Sequence, residues 1–172
     1  MKPAFAPQGS VTPGNASQLS DGAAALVVAS PAFARTHQCN PLAEIVGCAT
    51  AGLPPRDVFL APIPAIRAVL AKTGFSLDDI DLFELNEAFA SQVLACVREL
   101  HLPLEKINVR GGAIALGHPL GASGARVLVT LLHAMKSRGV RRGLAALCLG
   151  GGNAVAMVIE IPAPGDRFSS AL

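Results

Sequence analysis

Three short segments combine a reactive side chain with unusual backbone. The first is Asn86-Glu87-Ala88-Phe89-Ala90, a polar pair where an apolar alternating run hands over to a helical pattern. Strand carboxyl ends are the usual site positions in α/β sheets, and a helix N-terminus favours developing negative charge. The bland alternative is that Asn86 simply caps the helix. The second segment holds His118 among Gly111, Gly112, Gly117, Gly121 and Gly124, beside Pro119 and just before a helix. Imidazole titrates near neutrality, so a histidine held rigidly there suits general-base work, although a plain turn histidine would look similar. The glycines superficially suggest a phosphate loop, but neither G-x-G-x-x-G after a strand nor G-K-[ST] is present. The third segment, Cys148-Leu149-Gly150-Gly151-Gly152, places a thiol before three glycines whose N–H groups could form an oxyanion hole. Taken alone it also reads as a core cysteine leading into a glycine hairpin.

The elements that must position these groups follow from periodicity. Residues 1–20 are broken by Pro3, Pro7, Gly9, Pro13, Gly14 and Asn15. Ala23 to Ala29 reads as a buried strand, Pro31 to Cys39 as a short helix, and Leu42 to Ala49 as a second strand. Pro62 and Pro64 open a helix whose Ile63, Ile66, Val69 and Leu70 recur at helical spacing through Lys72. Ser76 and Asp79 cap a turn before a strand at Ile80–Leu85. A helix from Asn86 carries Phe89, Val93, Val97 and Leu100 on one face. Ile107–Val109 is strand-like, Ala125–Ser137 helical, and Gly143–Leu149 with Ala154–Ile161 a hairpin. From residue 41 the order is strand, helix, strand, helix, strand, helix, strand, strand. That order predicts an α/β fold with a mixed five-stranded sheet flanked by helices.

Composition narrows the class. The 172 residues are 51% hydrophobic and 15% charged, which excludes a disordered chain and suffices for a sizeable core. The net charge of +2 shows no basic stripe beyond Lys136, Arg138, Arg141 and Arg142, which read as a solvated helix end and not as a nucleic-acid surface. Cys39, Cys48, Cys96 and Cys148 have no C-x-x-C spacing, so a zinc site is not expected, and the first three read as small core residues. His37, His101 and His133 read as surface or helix residues. No basic segment followed by an apolar run marks a signal peptide, and no run of about 18 apolar residues marks a membrane span. Ser170-Ala171-Leu172 only faintly echoes a peroxisomal address, so a soluble cytoplasmic protein is expected.

Together the three segments are specific. Asn86–Ala90, the run from Gly111 to Arg126, and Cys148–Gly152 strongly resemble the C-terminal half of a thiolase, in order, spacing and residue type. Gly14-Asn15-Ala16-Ser17 followed by Asp21-Gly22-Ala23-Ala24 resembles the signature just upstream of that half. The likeness runs from about Pro3 to Ile161. It implies two similar mixed α/β halves packed in layers, and acyl transfer between a cysteine and coenzyme A, which is substrate and product with no separate cofactor or metal. It implies that His118 activates the nucleophilic cysteine and helps hold the thioester oxygen. Cys148 would serve as the second thiol, an acid and base of depressed pKa. Asn86 would position a water in one oxyanion hole and the Gly150 N–H would contribute to the other. Ser17, Ala88 and Phe89 would line the pantetheine arm. A decarboxylating condensing enzyme is a poorer match, because such enzymes tend to carry a second histidine where Asn86 stands.

The same resemblance places the nucleophilic cysteine in an N-terminal half absent from these residues. Residues 1–40 would be the last helix and strand of that half with the crossover, 41–162 the C-terminal domain, and 163–172 a flexible tail. The chain is then expected to act as an acyltransferase only when complemented by a nucleophile-bearing half, or to associate as a homo-oligomer. The alternative is a non-catalytic CoA-binding or structural remnant.

Overall fold

The computed structural model describes residues 1–162. The tail expected at 163–172 lies outside the described residues. The elements are α1 (Pro31–Thr36), β1 (Glu44–Gly52), α2 (Pro62–Thr73), β2 (Leu82–Leu85), α3 (Ala90–Leu100), α4 (Ala113–Leu116), α5 (Ser123–Arg138), β3 (Arg142–Leu149) and β4 (Asn153–Glu160). The strands form one mixed sheet in the order β1-β4-β3-β2. β4 runs antiparallel to both β1 and β3, while β2 and β3 are parallel, Leu85 standing opposite Ala146.

Strand alternation sends successive side chains to opposite faces. One face meets α2 and α3: Phe83, Leu85, Leu144, Ala146, Ala156 and Val158 pack against Ile66, Val69, Val93 and Cys96. On the other face Leu82, Ala145 and Ile159 pack against Val127, Leu131 and Met135 of α5. The buried positions of α2, among them Ile63, Ile66, Val69 and Leu70, are those its spacing predicts. The expected turn also forms, with the Ser76 N–H and hydroxyl both donating to Asp79 Oδ2 at 2.8 and 2.7 Å. α5 reaches only part of its face. Toward the β1 edge, Ile45 is 43% exposed and Cys48 and Thr50 are also exposed.

The sheet has four strands, not five. Ile107 makes a single parallel bridge with Phe83, and the strand expected over Ile107–Val109 stops there. The reason is local: Asn108 adopts φ 44°, outside the β region, and turns its side chain onto β2. Its Oδ1 accepts the Leu85 N–H at 2.8 Å and its Nδ2 donates to the Leu85 carbonyl at 2.8 Å. One amide side chain thus pairs with β2 as a neighbouring strand would. Ala23–Ala29, expected as a buried strand, lies in no strand, with Val27 fully exposed and Val28 73% exposed. Its apolar residues meet no sheet edge among the described residues. Cys39 and Cys48 are exposed, contrary to the core reading, whereas Cys96 is buried.

Candidate active site

The parallel strands β2 and β3 end side by side, and the ladder continues one residue further as the Asn86 N–H donates to the Ala146 carbonyl at 3.0 Å. Asn86 is almost fully buried, and α3 begins only at Ala90 after an extended Phe89, so Asn86 is not its cap. Its carbonyl Oδ1 accepts from Arg126 Nη2 at 3.2 Å, and its Nδ2 lies 3.3 Å from His118 Nε2. Glu84 is two residues earlier on the same face of β2, and Arg126 Nη1 donates to its Oε1 at 3.2 Å. Burial raises the Glu84 carboxyl to about 7 despite the opposing pull of Arg126.

His118 is held by its neighbours on both sides. Its N–H donates to the Gln18 carbonyl at 3.1 Å, and it forms a parallel bridge with Leu19. Gly117 before it has φ 94°, and a Cβ there would stand 2.3 Å from Ser20 Oγ, so only glycine fits. The ring's Nδ1 is 2.5 Å from Ser123 Oγ, whose hydroxyl donates onward to the Pro119 carbonyl at 3.0 Å. With that hydrogen committed, Ser123 accepts from Nδ1–H, and Nε2 keeps its lone pair facing the Asn86 NH2. Burial, and then the nearby Arg126 charge, hold the His118 pKa below the ordinary imidazole value, which favours the neutral ring. It borders an open cleft of about 710 Å³ whose other wall is the segment from Leu19 to Ala24.

Cys148 lies near the end of β3, half-buried. Burial pushes its thiol pKa up, not down as expected, because removing water disfavours the thiolate. Among the described residues no hydrogen bond joins Cys148 to His118 or Asn86. Gly150 follows in a single turn of 3₁₀ helix, Gly150–Gly152, and is exposed. That turn is pinned at Gly152, whose carbonyl accepts from the Leu53 N–H at 2.8 Å.

Ser17 meets Ala88 directly: its N–H and its hydroxyl both donate to the Ala88 carbonyl at 3.1 Å. Ala16 bridges Phe89, and the Ala90 N–H donates to the Asn15 carbonyl at 2.9 Å. The Phe89 ring packs edge-on against Phe5 and Phe59, with centroids 5.9 and 5.1 Å away. The structure therefore joins Asn86 to His118, Ser17 to Ala88 and Ala16 to Phe89, and sets Cys148 and Gly150 at the neighbouring strand end.

Several residues of this network have no role assigned from the sequence, Glu87 among them although it stands in the Asn86–Ala90 segment. Glu87 accepts from Asn108 Nδ2 at 2.9 Å and from the Ile114 N–H at 3.1 Å, tying the segment after β2 to the loop before α4. Glu84, Arg126 and Ser123 likewise have no role assigned from the sequence. A polar residue two before Asn86 on a buried strand, and a hydroxyl five after His118 on the coming helix, are the signals that could have found two of them. Among the described residues no cluster of His, Cys, Asp or Glu could hold a metal ion, and no helix is long and apolar enough to cross a membrane.

The Asn86–His118 contact beside the carboxyl ends of two parallel strands, with glycine-rich turns around it, lies where α/β folds commonly place a site. Residues 39–161 match the thiolase C-terminal domain, and residues 1–32 the thiolase N-terminal domain. The chain belongs to the thiolase family. It is similar to acetyl-CoA acetyltransferase of Escherichia coli K12, 54% identical over 160 residues, covering 93% of this chain and 41% of that protein. The acetyl-CoA acetyltransferase structure from Bacillus anthracis matches with TM-score 0.92 and 52% identity, over 94% of this chain and 41% of that one. Human mitochondrial 3-ketoacyl-CoA thiolase in complex with CoA matches with TM-score 0.86 and 42% identity, over the same shares. The chain thus spans about two fifths of the length of these relatives.

Proposed function

We propose that this chain is the acid–base half of a thiolase-type acyltransferase, acting on 3-ketoacyl-CoA or, in reverse, on two acyl-CoA molecules. The observation that carries this reading is the placement of the His118 ring, with Nε2 3.3 Å from the buried Asn86 amide and Nδ1 2.5 Å from Ser123 Oγ, at the border of a cleft. In thiolysis a cysteine outside this chain attacks the 3-keto carbonyl, and His118 Nε2 takes its proton. The C2–C3 bond breaks, the acyl group stays on the cysteine sulfur, and C2 takes the electron pair and a proton from Cys148, leaving as acetyl-CoA. The thiol of a second coenzyme A gives its proton to Cys148 and attacks the thioester, and the cysteine leaves with the proton from His118. Both groups return to their starting states. The raised Cys148 pKa suits a thiol that must be protonated at rest to serve as the acid.

In the same reading a water held by Asn86, together with His118, stabilises one oxyanion, and the Gly150 N–H contributes to the other. Ser17, Ala88 and Phe89 flank the pantetheine arm. Coenzyme A enters as substrate and leaves as product, and no metal or further cofactor is assigned. The nucleophile comes from a thiolase half outside these 172 residues, and the partners are that half or further copies of this chain. A cytoplasmic setting goes with the exposed thiols of Cys39 and Cys48, which persist unpaired in a reducing compartment.

The test uses the chain with and without a nucleophile-bearing thiolase half. Alone it should not cleave acetoacetyl-CoA. In the complemented enzyme His118→Ala should abolish labelled acyl-enzyme in rapid-quench trapping. Cys148→Ala should spare acylation from a simple acyl-CoA but block condensation. Thiolysis by the purified chain alone, lost on Cys148→Ser, would refute the reading. Equal trapping by both variants would refute the division of roles.

A further inference from the structure

The hydrogen-bond chain through His118 can be written in two self-consistent ways. In the first, Ser123 O–H donates to the Pro119 carbonyl, His118 Nδ1–H donates to Ser123, and the Asn86 NH2 donates to the Nε2 lone pair. In the second every hydrogen is reversed: Ser123 O–H donates to Nδ1, and Nε2–H donates to an Asn86 amide flipped by 180°. The Ser123–Pro119 bond favours the first, but a hydroxyl can turn to either partner, and Asn carries a donor and an acceptor of nearly the same size. Arg126 supplies the constraint at the Asn86 end. It has donors and no acceptor, and its Nη2 sits 3.2 Å from Asn86 Oδ1. Flipping the amide would turn an NH2 against those N–H groups inside a buried site, where Asn86 is 1% exposed. Glu84 holds the guanidinium there from the other side, with its Oε1 3.2 Å from Nη1.

We infer that Arg126 is a positioning residue that fixes the amide of Asn86 and, through it, keeps His118 in the Nδ1–H form with Nε2 open to take a proton. It touches no reacting atom in this account. The reversed chain would present Nε2–H, which cannot accept a thiol proton, so loss of Arg126 would silence the base without moving it. The inference rests on the proposed role of His118, but its consequence is a property of the resting chain and needs no turnover.

The experiment is ¹⁵N NMR of the His118 ring in the full chain at about pH 8, above the ordinary imidazole range. The resonance is assigned by its loss in His118→Gln. In the unmodified chain Nδ1 should show the protonated, pyrrole-type shift and Nε2 the pyridine-type shift. Arg126→Met should lower the ratio of the Nδ1–H to the Nε2–H form by roughly tenfold, the factor one ordinary hydrogen bond supplies. Glu84→Gln leaves the arginine donors and one acceptor for them, and should keep the original form. Because Arg126→Met strands a buried carboxyl and can fail to fold, Glu84→Gln/Arg126→Met is made alongside and should shift as the single variant does. An Nδ1–H ring unchanged in the folded double variant overturns the role of Arg126 and leaves the proposed function standing. A shift in Glu84→Gln as large as in Arg126→Met also overturns it, since charge and not donor geometry would then be in control. An Nε2–H ring in the unmodified chain would overturn the base reading itself.

Discussion

Asn108→Ala should cost this fold more than its half-exposed position suggests. The amide makes three hydrogen bonds of 2.8, 2.8 and 2.9 Å, to the Leu85 N–H, the Leu85 carbonyl and Glu87 Oε1. Leu85 is only 2% exposed, so removing the amide leaves two main-chain groups with poor access to water. Each such group costs about 1–3 kcal/mol. The φ of 44° adds about 1 kcal/mol for alanine, which tolerates the left-handed region less well than asparagine. Allowing for partial relaxation, the sum is about 3 kcal/mol. With a urea m-value of roughly 2 kcal/mol/M, the unfolding midpoint should fall by about 1.5 M. Asn108→Gly keeps the backbone conformation and loses only the amide, so it should recover about 1 kcal/mol of that loss. The local signature is faster hydrogen exchange at the Leu85 N–H than at the other amides of β2. A midpoint shift under about 0.5 M, roughly 1 kcal/mol, with Leu85 still protected, would refute the idea that this side chain stands in for a strand.

Glu84 should tilt the pH dependence of stability. The folded chain holds its proton to about pH 7, whereas the ordinary value is 4.5, so the folded state binds more protons between the two. Its contribution to stability is full below about 4.5 and lost as pH rises to about 7, a change on the order of 3 kcal/mol that Glu84→Gln should remove from urea midpoints across that window. Gly152→Ala should lower Tm by roughly 4–8 °C in calorimetry, since a Cβ there stands 2.2 Å from the Leu53 carbonyl oxygen at φ 94°; an unchanged Tm would mean the turn has room. Light scattering across a concentration series should show association, because Val27, Val28 and Ile45 leave apolar surface uncovered; a monomer at high concentration would contradict this.

What was legible in the sequence was what local chemistry dictates. The helical stripe of Ile63, Ile66, Val69 and Leu70 and the paired runs around Gly150–Gly152 fold as their periods require. Asn86, His118 and Ser17 stood out because glycines or polar pairs interrupt apolar runs there. Two segments failed for opposite reasons. Ala23–Ala29 has the composition of a buried strand, but burial needs a partner edge that periodicity does not supply. Ile107–Val109 has strand residues, but Asn108 has a better bond through its side chain than through its backbone. Arg126 closes the glycine-rich run, but its role was not legible because it lies in reaching across from α5 to Glu84 and Asn86. The Cys148 direction was missed because a thiol near a histidine in sequence motifs says nothing about how much water reaches it.

The way residues 15–19 are attached bears on how freely this site can vary. They are tied to Ala88, Phe89, Ala90 and His118 chiefly through main-chain groups, which every amino acid except proline carries in full. The spacing between the two site-bearing loops therefore does not depend on which side chains occupy the strap. Leu19 is 83% exposed and Gln18 is exposed as well, so both project from a fixed frame. Replacements there would change the lining of the approach to the site while the distance between Asn86 and His118 stays set. This stretch is the natural place to vary the surface beside the cleft, and proline is the one residue to leave out of it.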